Sequence, residues 1–172
     1  MWRTAVFASL LIASLYVPND SYAAKTLPDE VSLEEFAAFM KKAVGEDVEV
    51  KAGLLGYVAK LGEVEIGRLA FPAEGKSDDA LFKIVTDLTR MMCDQSTVQP
   101  STIARQKLDG INLLRQSFEC RTMMGPIKFS DTILIEDGDR FEAFLSGAGA
   151  EHRPGVVKAN DGIERVLVEM YR

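Results

Sequence analysis

Several residue types that build active sites are scarce in this chain. In 172 residues, histidine occurs once, as His152, and cysteine twice, as Cys93 and Cys120. No GxSxG nucleophile elbow, GxGxxG loop or Walker-type loop occurs, so a serine hydrolase of that type and a nucleotide site have no local support. One histidine and two cysteines are also too few for a nitrogen and sulfur zinc site without carboxylates. No motif names a reaction or a cofactor, and we expect no cofactor.

An excess of positive charge is also absent. The chain has 20 Lys and Arg against 26 Asp and Glu, a formal net charge of -6. Nonspecific capture of nucleic acid needs a basic field, so we expect no nucleic-acid partner. With 47% apolar and 27% charged residues, the composition is that of a globular protein rather than a disordered one.

The N-terminal residues have the layout of a signal peptide. Arg3 supplies the positive charge, the apolar run 5–17 follows, and Pro18-Asn19-Asp20 ends it. Ser21-Tyr22-Ala23 places small residues where signal peptidase reads them, so we expect cleavage after Ala23, with Ala24 as the second candidate. An uncleaved anchor is the alternative, but a spanning helix needs about 20 apolar residues. The prediction is a cleaved signal over 1–23, one domain over 24–172 without a membrane span, and a periplasmic or secreted location.

The two cysteines predict a disulfide. Export places Cys93 and Cys120 in an oxidising compartment, where paired cysteines form bridges. Closing a loop of about 28 residues contributes about 3 to 4 kcal/mol in the chain-entropy model. A redox pair or a metal ligand set is the alternative, but the two residues lack the CxxC spacing that lowers a thiol pKa.

Helix signals are strongest at two places. Ser32 and Glu35 form a capping box flanked by Val31 and Phe36, and Gly45 marks the stop. A second helix begins at Ser77, and Pro100 lies in the loop beyond it. We expect the second helix to bury a stripe at helical spacing: Leu81, Ile84, Val85, Leu88 and Met92.

Strand patterns occupy the regions after each helix. Between Val48 and Phe71, alternating apolar residues predict two strands joined near Lys60 to Glu63. Asp109-Gly110 and Asp137-Gly138 are typical hairpin turns, which predicts a meander from about Thr102 to Ser146.

The C-terminal segment fits two structures. Val156, Ile163, Leu167 and Met170 have helical spacing, and Asp161 with Glu164 resembles a capping box. Residues 160–162 also suit a hairpin turn, but we favour the helix. These elements predict an α+β single-domain sandwich, with a mainly antiparallel sheet of about five to six strands and about three helices.

Methionines beside the cysteines are a candidate soft-metal site. If Cys93 and Cys120 pair, Met92, Met123 and Met124 come near one region, and thioethers suit Cu(I). Filling of irregular core gaps is the simpler interpretation, and no ligand spacing supports a metal.

Two further candidates have ordinary explanations. His152 lies among charged residues and predicts an exposed loop histidine. The run 136–139, Glu-Asp-Gly-Asp, lacks the ligand spacing of a calcium loop and predicts a polar hairpin tip.

Two function classes remain. We expect a noncatalytic exported binding or accessory protein that contacts a partner protein or a small apolar ligand, because this class requires no absent motif. The alternative is a small extracytoplasmic hydrolase or copper-handling protein assembled from dispersed side chains.

Overall fold

The structure, a computed structural model, describes residues 31–45, 48–53, 56–91, 93–108, 111–123, 125–137 and 140–170. Over these ranges the chain forms three α-helices and one sheet of eight strands. The helices are α1 (Leu33–Val44), α2 (Asp78–Arg90) and α3 (Arg153–Met170). The strands are β1 (Glu49–Ala52), β2 (Gly56–Leu61), β3 (Val64–Pro72), β4 (Gln99–Pro100), β5 (Ala104–Leu108), β6 (Ile111–Arg121), β7 (Ile127–Asp137) and β8 (Arg140–Gly149). The predicted α+β class is confirmed, with more strands than expected.

Every strand pairing in the sheet is antiparallel, and the order is β1-β2-β3-β8-β7-β6-β4, with β5 also paired to β6. Leu108 pairs with Ile111, and Asp137, which was expected in a turn, pairs with Arg140 at the end of β7. The other residues of the two predicted turns, 109–110 and 138, lie outside the described residues. Pro100 lies in the short edge strand β4 rather than in a loop, where a missing N–H is tolerated.

The region 48–72 departs from the prediction, because it holds three strands instead of two. An additional turn separates β1 from β2, and the Gly53 amide donates to the Gly56 carbonyl across it at 2.6 Å. The turn between β2 and β3 falls at 62–63, inside the predicted connection. Isolated glycines do not distinguish a bend within one strand from a reversal between two.

The helices cover opposite faces of the sheet. On the α1/α3 face, both helices pack on a core that includes Phe36, Met40, Ile66, Ile133, Phe144 and Ile163. On the α2 face, α2 packs through Leu81, Phe82 and Val85 on Leu114, Leu134, Phe141 and Ala143. Alternate residues of β6, β7 and β8 therefore serve different cores, as strand geometry requires.

Helix α1 confirms the local signals read from the sequence. Ser32 Oγ accepts from the Glu35 amide at 3.2 Å, and Glu35 Oε2 accepts from the Ser32 amide at 2.7 Å. The hydrogen bonds from the Ser32 backbone and hydroxyl lower the pKa of Glu35. Gly45, at φ 73°, ends the helix by donating to the Lys41 carbonyl at 2.9 Å.

Helix α2 begins after Ser77 as predicted, but its buried stripe is rotated from the expected one. Ile84 is 44% exposed, whereas Phe82, which the prediction omitted, is 2% exposed. Burial at 81, 82, 85 and 86 centres the stripe between Leu81 and Phe82. Ile84 therefore lies away from the sheet.

Helix α3 is continuous from Arg153 to Met170, which excludes the hairpin at 160–162. Asp161 is consequently mid-helix and caps nothing, and Met170 is 61% exposed rather than buried. At Gly162, a Cβ atom would lie 2.0 Å from the Ala43 carbonyl oxygen of α1. Only glycine permits this helix contact, which Arg165 reinforces by donating to the same carbonyl at 3.2 Å.

The predicted signal peptide, residues 1–23, lies outside the described residues, and so does the predicted start of the mature chain. None of the three helices combines the length and the apolar character needed to cross a membrane.

Candidate functional site

The two cysteines are joined in the structure. Cys93 follows α2 and Cys120 lies near the end of β6, with a Cα to Cα distance of 5.6 Å and a disulfide between the sulfurs. Both residues are buried, beside Phe118 and Val98. The bridge ties the end of α2 to the α2 face of the sheet, as the sequence predicts.

Hydrogen bonds extend this attachment beyond the bridge. Cys93 pairs with Thr122 as an isolated β-bridge, and the Asp94 amide donates to the Arg121 carbonyl at 2.8 Å. The Arg121 amide in turn donates to Thr97 Oγ1 at 2.8 Å. We call residues 91, 93–97, 119–123 and 127 the disulfide end, a region held by a covalent bond and several hydrogen bonds.

Large apolar side chains are exposed at the disulfide end. Met91 is 52% exposed, Met123 is 81% exposed and Ile127 is 50% exposed. Met123 follows Thr122, which forms the β-bridge with Cys93, and Ile127 pairs with Arg121 across the β6–β7 hairpin. Of the candidate metal ligands, Met92 and Met124 lie outside the described residues, so the methionine set stays a prediction.

Two shallow cavities open at this end of the sheet. One of about 340 Å³ is lined by Ser96, Thr97, Gln99, Glu119, Cys120, Arg121 and Ile127. Its neighbour of about 280 Å³ reaches Arg153, which forms an ion pair with Glu119 at 2.8 Å and lies 4.7 Å from the centre of the Phe129 ring. Both are open to solvent and have mixed polar and apolar walls.

A partly buried ion network lies on the α1/α3 face and was not anticipated from the sequence. Arg115 of β6 donates to Asp131 of β7 at 2.6 Å, and to Asp161 and Glu164 of α3 at 2.7 and 2.8 Å. The sequence carries one signal for this network. Arg115 and Asp131 are charged residues at inward-facing positions of β6 and β7, where the alternating pattern leads one to expect an apolar residue. The network joins the sheet to α3.

Burial and hydrogen bonding shift the pKa values of two members of this network, Arg115 and Asp131. Burial lowers the pKa of Arg115, but its hydrogen bonds to Asp131 and Asp161 and the charge of Asp131 outweigh it, so the pKa is raised. For Asp131, burial raises the pKa more than Arg115 and the nearby Asn160 amide lower it. Asn160 Oδ1 accepts from Ser146 Oγ at 2.5 Å. The arrangement is structural, since Asp131 is only 2% exposed.

The remaining predicted sites stay separate. His152 is exposed as predicted, at the end of a short 3-10 turn before α3, with its Nε2 3.8 Å from Glu151 Oε1. Of the acidic run 136–139, Glu136 and Asp137 form the end of β7, and residues 138–139 lie outside the described residues. Within the described part of the chain, no group of three or more His, Cys, Asp or Glu side chains is placed to hold a metal ion.

Comparison with known proteins identifies no family. No protein-family model and no curated protein matches the chain. Among solved structures, a protein of unknown function from Pseudomonas aeruginosa matches at a TM-score of 0.40 and 10% identity, over 66% of this chain and 81% of that one. At this distance the likeness supports no functional argument.

Proposed function

We propose that this protein is a noncatalytic exported binding or accessory protein whose disulfide end contacts a partner protein. One observation carries the proposal: three large apolar side chains are exposed at the end that the disulfide holds. They are Met91, Met123 and Ile127. Exposed apolar side chains that cluster in one region are typical of interaction sites, whereas single ones are common on any protein surface.

The composition of the disulfide end suits a protein interface. Interfaces are enriched in methionine and arginine, with an apolar centre and a polar rim. Here Ile127 lies opposite Arg121 and lines a cavity with Arg121 and Glu119, and Glu119 forms an ion pair with Arg153. The disulfide reduces the freedom of this surface before a partner binds, which lowers the entropy cost of association.

A partner protein fits these observations better than a small apolar ligand. Ligand sites enclose most of the ligand surface within largely apolar walls. The cavities of about 340 and 280 Å³ at the disulfide end are open and partly charged, and so is another of about 410 Å³ beside Asp161 and Glu169. An extended surface is a better match to their shape.

Capture from the native envelope fraction tests the proposal. The bait is the mature protein, compared with a Met123→Asp/Ile127→Asp variant, and bound proteins are identified by mass spectrometry. The matched control is Met170→Asp, which changes a methionine at the far end of α3 whose exposure lies between those of Met123 and Ile127. We expect one partner that binds wild type and the control but not the double variant. A partner that binds all three, or no reproducible partner, would contradict the proposed surface.

Export is tested separately, by sequencing the N-terminus of protein recovered from the periplasm or the medium. The signal layout of residues 1–23 predicts a start at Ala24. Recovery of Met1 from the exported protein would show that the signal is not cleaved.

A further inference from the structure

Strand β1 leaves backbone groups unpaired at the edge of the sheet. Among the described residues, no strand pairs with β1 on the side away from β2. The Gly53 amide donates to the Gly56 carbonyl, and hydrogen-bonded pairs alternate along an antiparallel ladder. Glu49 and Lys51 therefore direct their N–H and C=O groups toward β2, whereas Val50 and Ala52 direct theirs outward. The edge is equipped to accept another strand.

Charged side chains alternate in sign across the sheet up to this edge. On the α2 face, Glu49 lies opposite Lys60, and Lys60 lies opposite Glu65. Glu65 lies opposite Gly147, and the Lys128 side chain passes 3.0 Å from the position of a Gly147 Cβ toward the charge of Glu65. We call Glu49, Lys60, Glu65 and Lys128 the charge ladder. It ends at the edge with Glu49, beside the exposed cation Lys51.

We infer that β1 pairs antiparallel with β1 of a second copy of this chain, with Val50 opposite Val50. In this register, Glu49 of each copy lies opposite Lys51 of the other. These are non-hydrogen-bonded pairs, whose side chains approach most closely. The outward N–H and C=O groups of Val50 bond across the two-fold axis, and Lys51 of the second copy continues the charge ladder by one step.

The same charges select this register over its neighbours. A two-fold axis centred on residue 49 would place Glu49 opposite Glu49, and an axis centred on residue 51 would place Lys51 opposite Lys51. Like charges directly opposite each other are destabilising. Of these three axes, only the one at Val50 places unlike charges opposite each other, in two Glu49–Lys51 pairs.

The opposite edge of the sheet does not offer this complementarity. Strand β5 pairs only with β6 among the described strands, and it exposes Arg105 and Lys107. An axis at residue 106 would place Arg105 opposite Lys107, and an axis at 105 or 107 would place one cation opposite its copy. Self-pairing through β5 is therefore disfavoured, and β1 is the edge that fits a second copy.

Sedimentation of the mature protein over a concentration series, up to about 1 mM because a small interface associates weakly, tests the inference. We expect a monomer–dimer equilibrium in the wild type. Lys51→Glu converts two attractive pairs into two repulsive ones and should raise the dimer Kd about 10- to 30-fold. Glu49→Lys/Lys51→Glu exchanges the signs at the dimer contact and should restore the Kd to within about threefold of wild type. Because it also places a lysine opposite Lys60 within the monomer, its unfolding midpoint is measured alongside to show that β1 is retained. Lys107→Glu, an equal charge change on β5, should leave the Kd unchanged.

A backbone variant separates the strand pairing from general electrostatics. Ala52→Pro removes an N–H that points outward and leaves the ladder with β2 intact, so the monomer should keep its circular dichroism and unfolding midpoint while dimerisation is lost. A wild type that stays monomeric throughout would overturn the inference. So would equal weakening by Lys51→Glu and Lys107→Glu, or a charge-exchanged variant no stronger than Lys51→Glu.

Discussion

Arg115 and Asp131, on neighbouring strands, form a two-point ion pair within the α1/α3 face of the sheet. Arg115 Nη2 and Nε both donate to Asp131 Oδ2, at 2.6 and 3.0 Å. Because Arg115 also binds Asp161 and Glu164, the pair couples the packing of α3 to the charge of a buried carboxylate.

This coupling predicts a pH dependence of stability. Burial raises the pKa of Asp131 above its ordinary value of 3.8, so the folded protein holds this proton more tightly than the unfolded chain. The stabilisation from Asp131 is then complete below pH 3.8 and is lost as the pH rises through the raised pKa. Relative to Asp131→Asn, the free energy of unfolding of wild type should fall over that range. Denaturant titrations at several pH values measure the difference, and a difference that grows with pH would contradict it.

Loss of the disulfide should destabilise the protein strongly. Cys120→Ser should lower the free energy of unfolding by about 2 to 5 kcal/mol, because the unfolded chain gains the entropy that the bridge removes. Denaturant unfolding measures this loss. As a control, Cys93→Ser/Cys120→Ser should lose about as much as the single variant, since one bridge is broken in each.

Thiol titration provides an independent check of the same bond. The denatured mature protein should show no free thiol until a reductant is added. Two titratable thiols in protein from the oxidising compartment would rule out the bridge there.

Removal of the α1 cap should cost less. Ser32→Ala removes the acceptor of the Glu35 amide and should reduce the free energy of unfolding by about 0.5 to 2 kcal/mol. Ser32→Thr keeps a capping hydroxyl and should stay close to wild type. An unchanged unfolding midpoint and slope for the alanine variant would show that the cap does not stabilise the fold.

Because of the contact between α1 and α3, replacing a helix glycine with alanine should destabilise the protein at one position instead of stabilising it. Gly→Ala within a helix normally stabilises by about 0.5 to 1 kcal/mol, but the Cβ of Gly162→Ala would meet the Ala43 carbonyl, a backbone atom. We expect a loss of about 1 to 3 kcal/mol from overpacking. Gly155→Ala, whose Cβ would meet only a Val64 methyl at 3.2 Å, should have a smaller effect. Thermal unfolding of both variants measures the contrast, and a stabilised Gly162→Ala would show that the helices separate without cost.

Features encoded locally could be predicted from the sequence, whereas features set by distant packing could not. The capping box of Ser32 depends on residues a few positions apart, and it occurs where expected. Asp161 resembles a helix cap because Glu164 follows it at the spacing of a capping box. Its actual partner is Arg115, 46 residues away, and nothing near Asp161 indicates that pair.

The choice of which face of α2 is buried also could not be predicted from local sequence. Both Phe82 and Ile84 are apolar, so helical spacing alone permits either at the edge of the buried stripe. Phe82 is the one that is buried, because it packs with Leu114 and Phe141 on the α2 face. At the disulfide end, the cysteine count predicted the bridge, but the exposure of Met123 and Ile127 depends on how the β6–β7 hairpin extends beyond it.

The bridge between Cys93 and Cys120 has a consequence for the integrity of the chain. It spans β4, β5 and almost all of β6, and within that span the connection 101–103 is irregular, with Ser101 and Thr102 exposed. A protease that cuts this connection leaves two pieces that remain covalently joined. Nicked protein should therefore migrate as one band on a nonreducing gel and separate into two only after reduction. The bridge therefore keeps a molecule that has been cut at this connection in one piece.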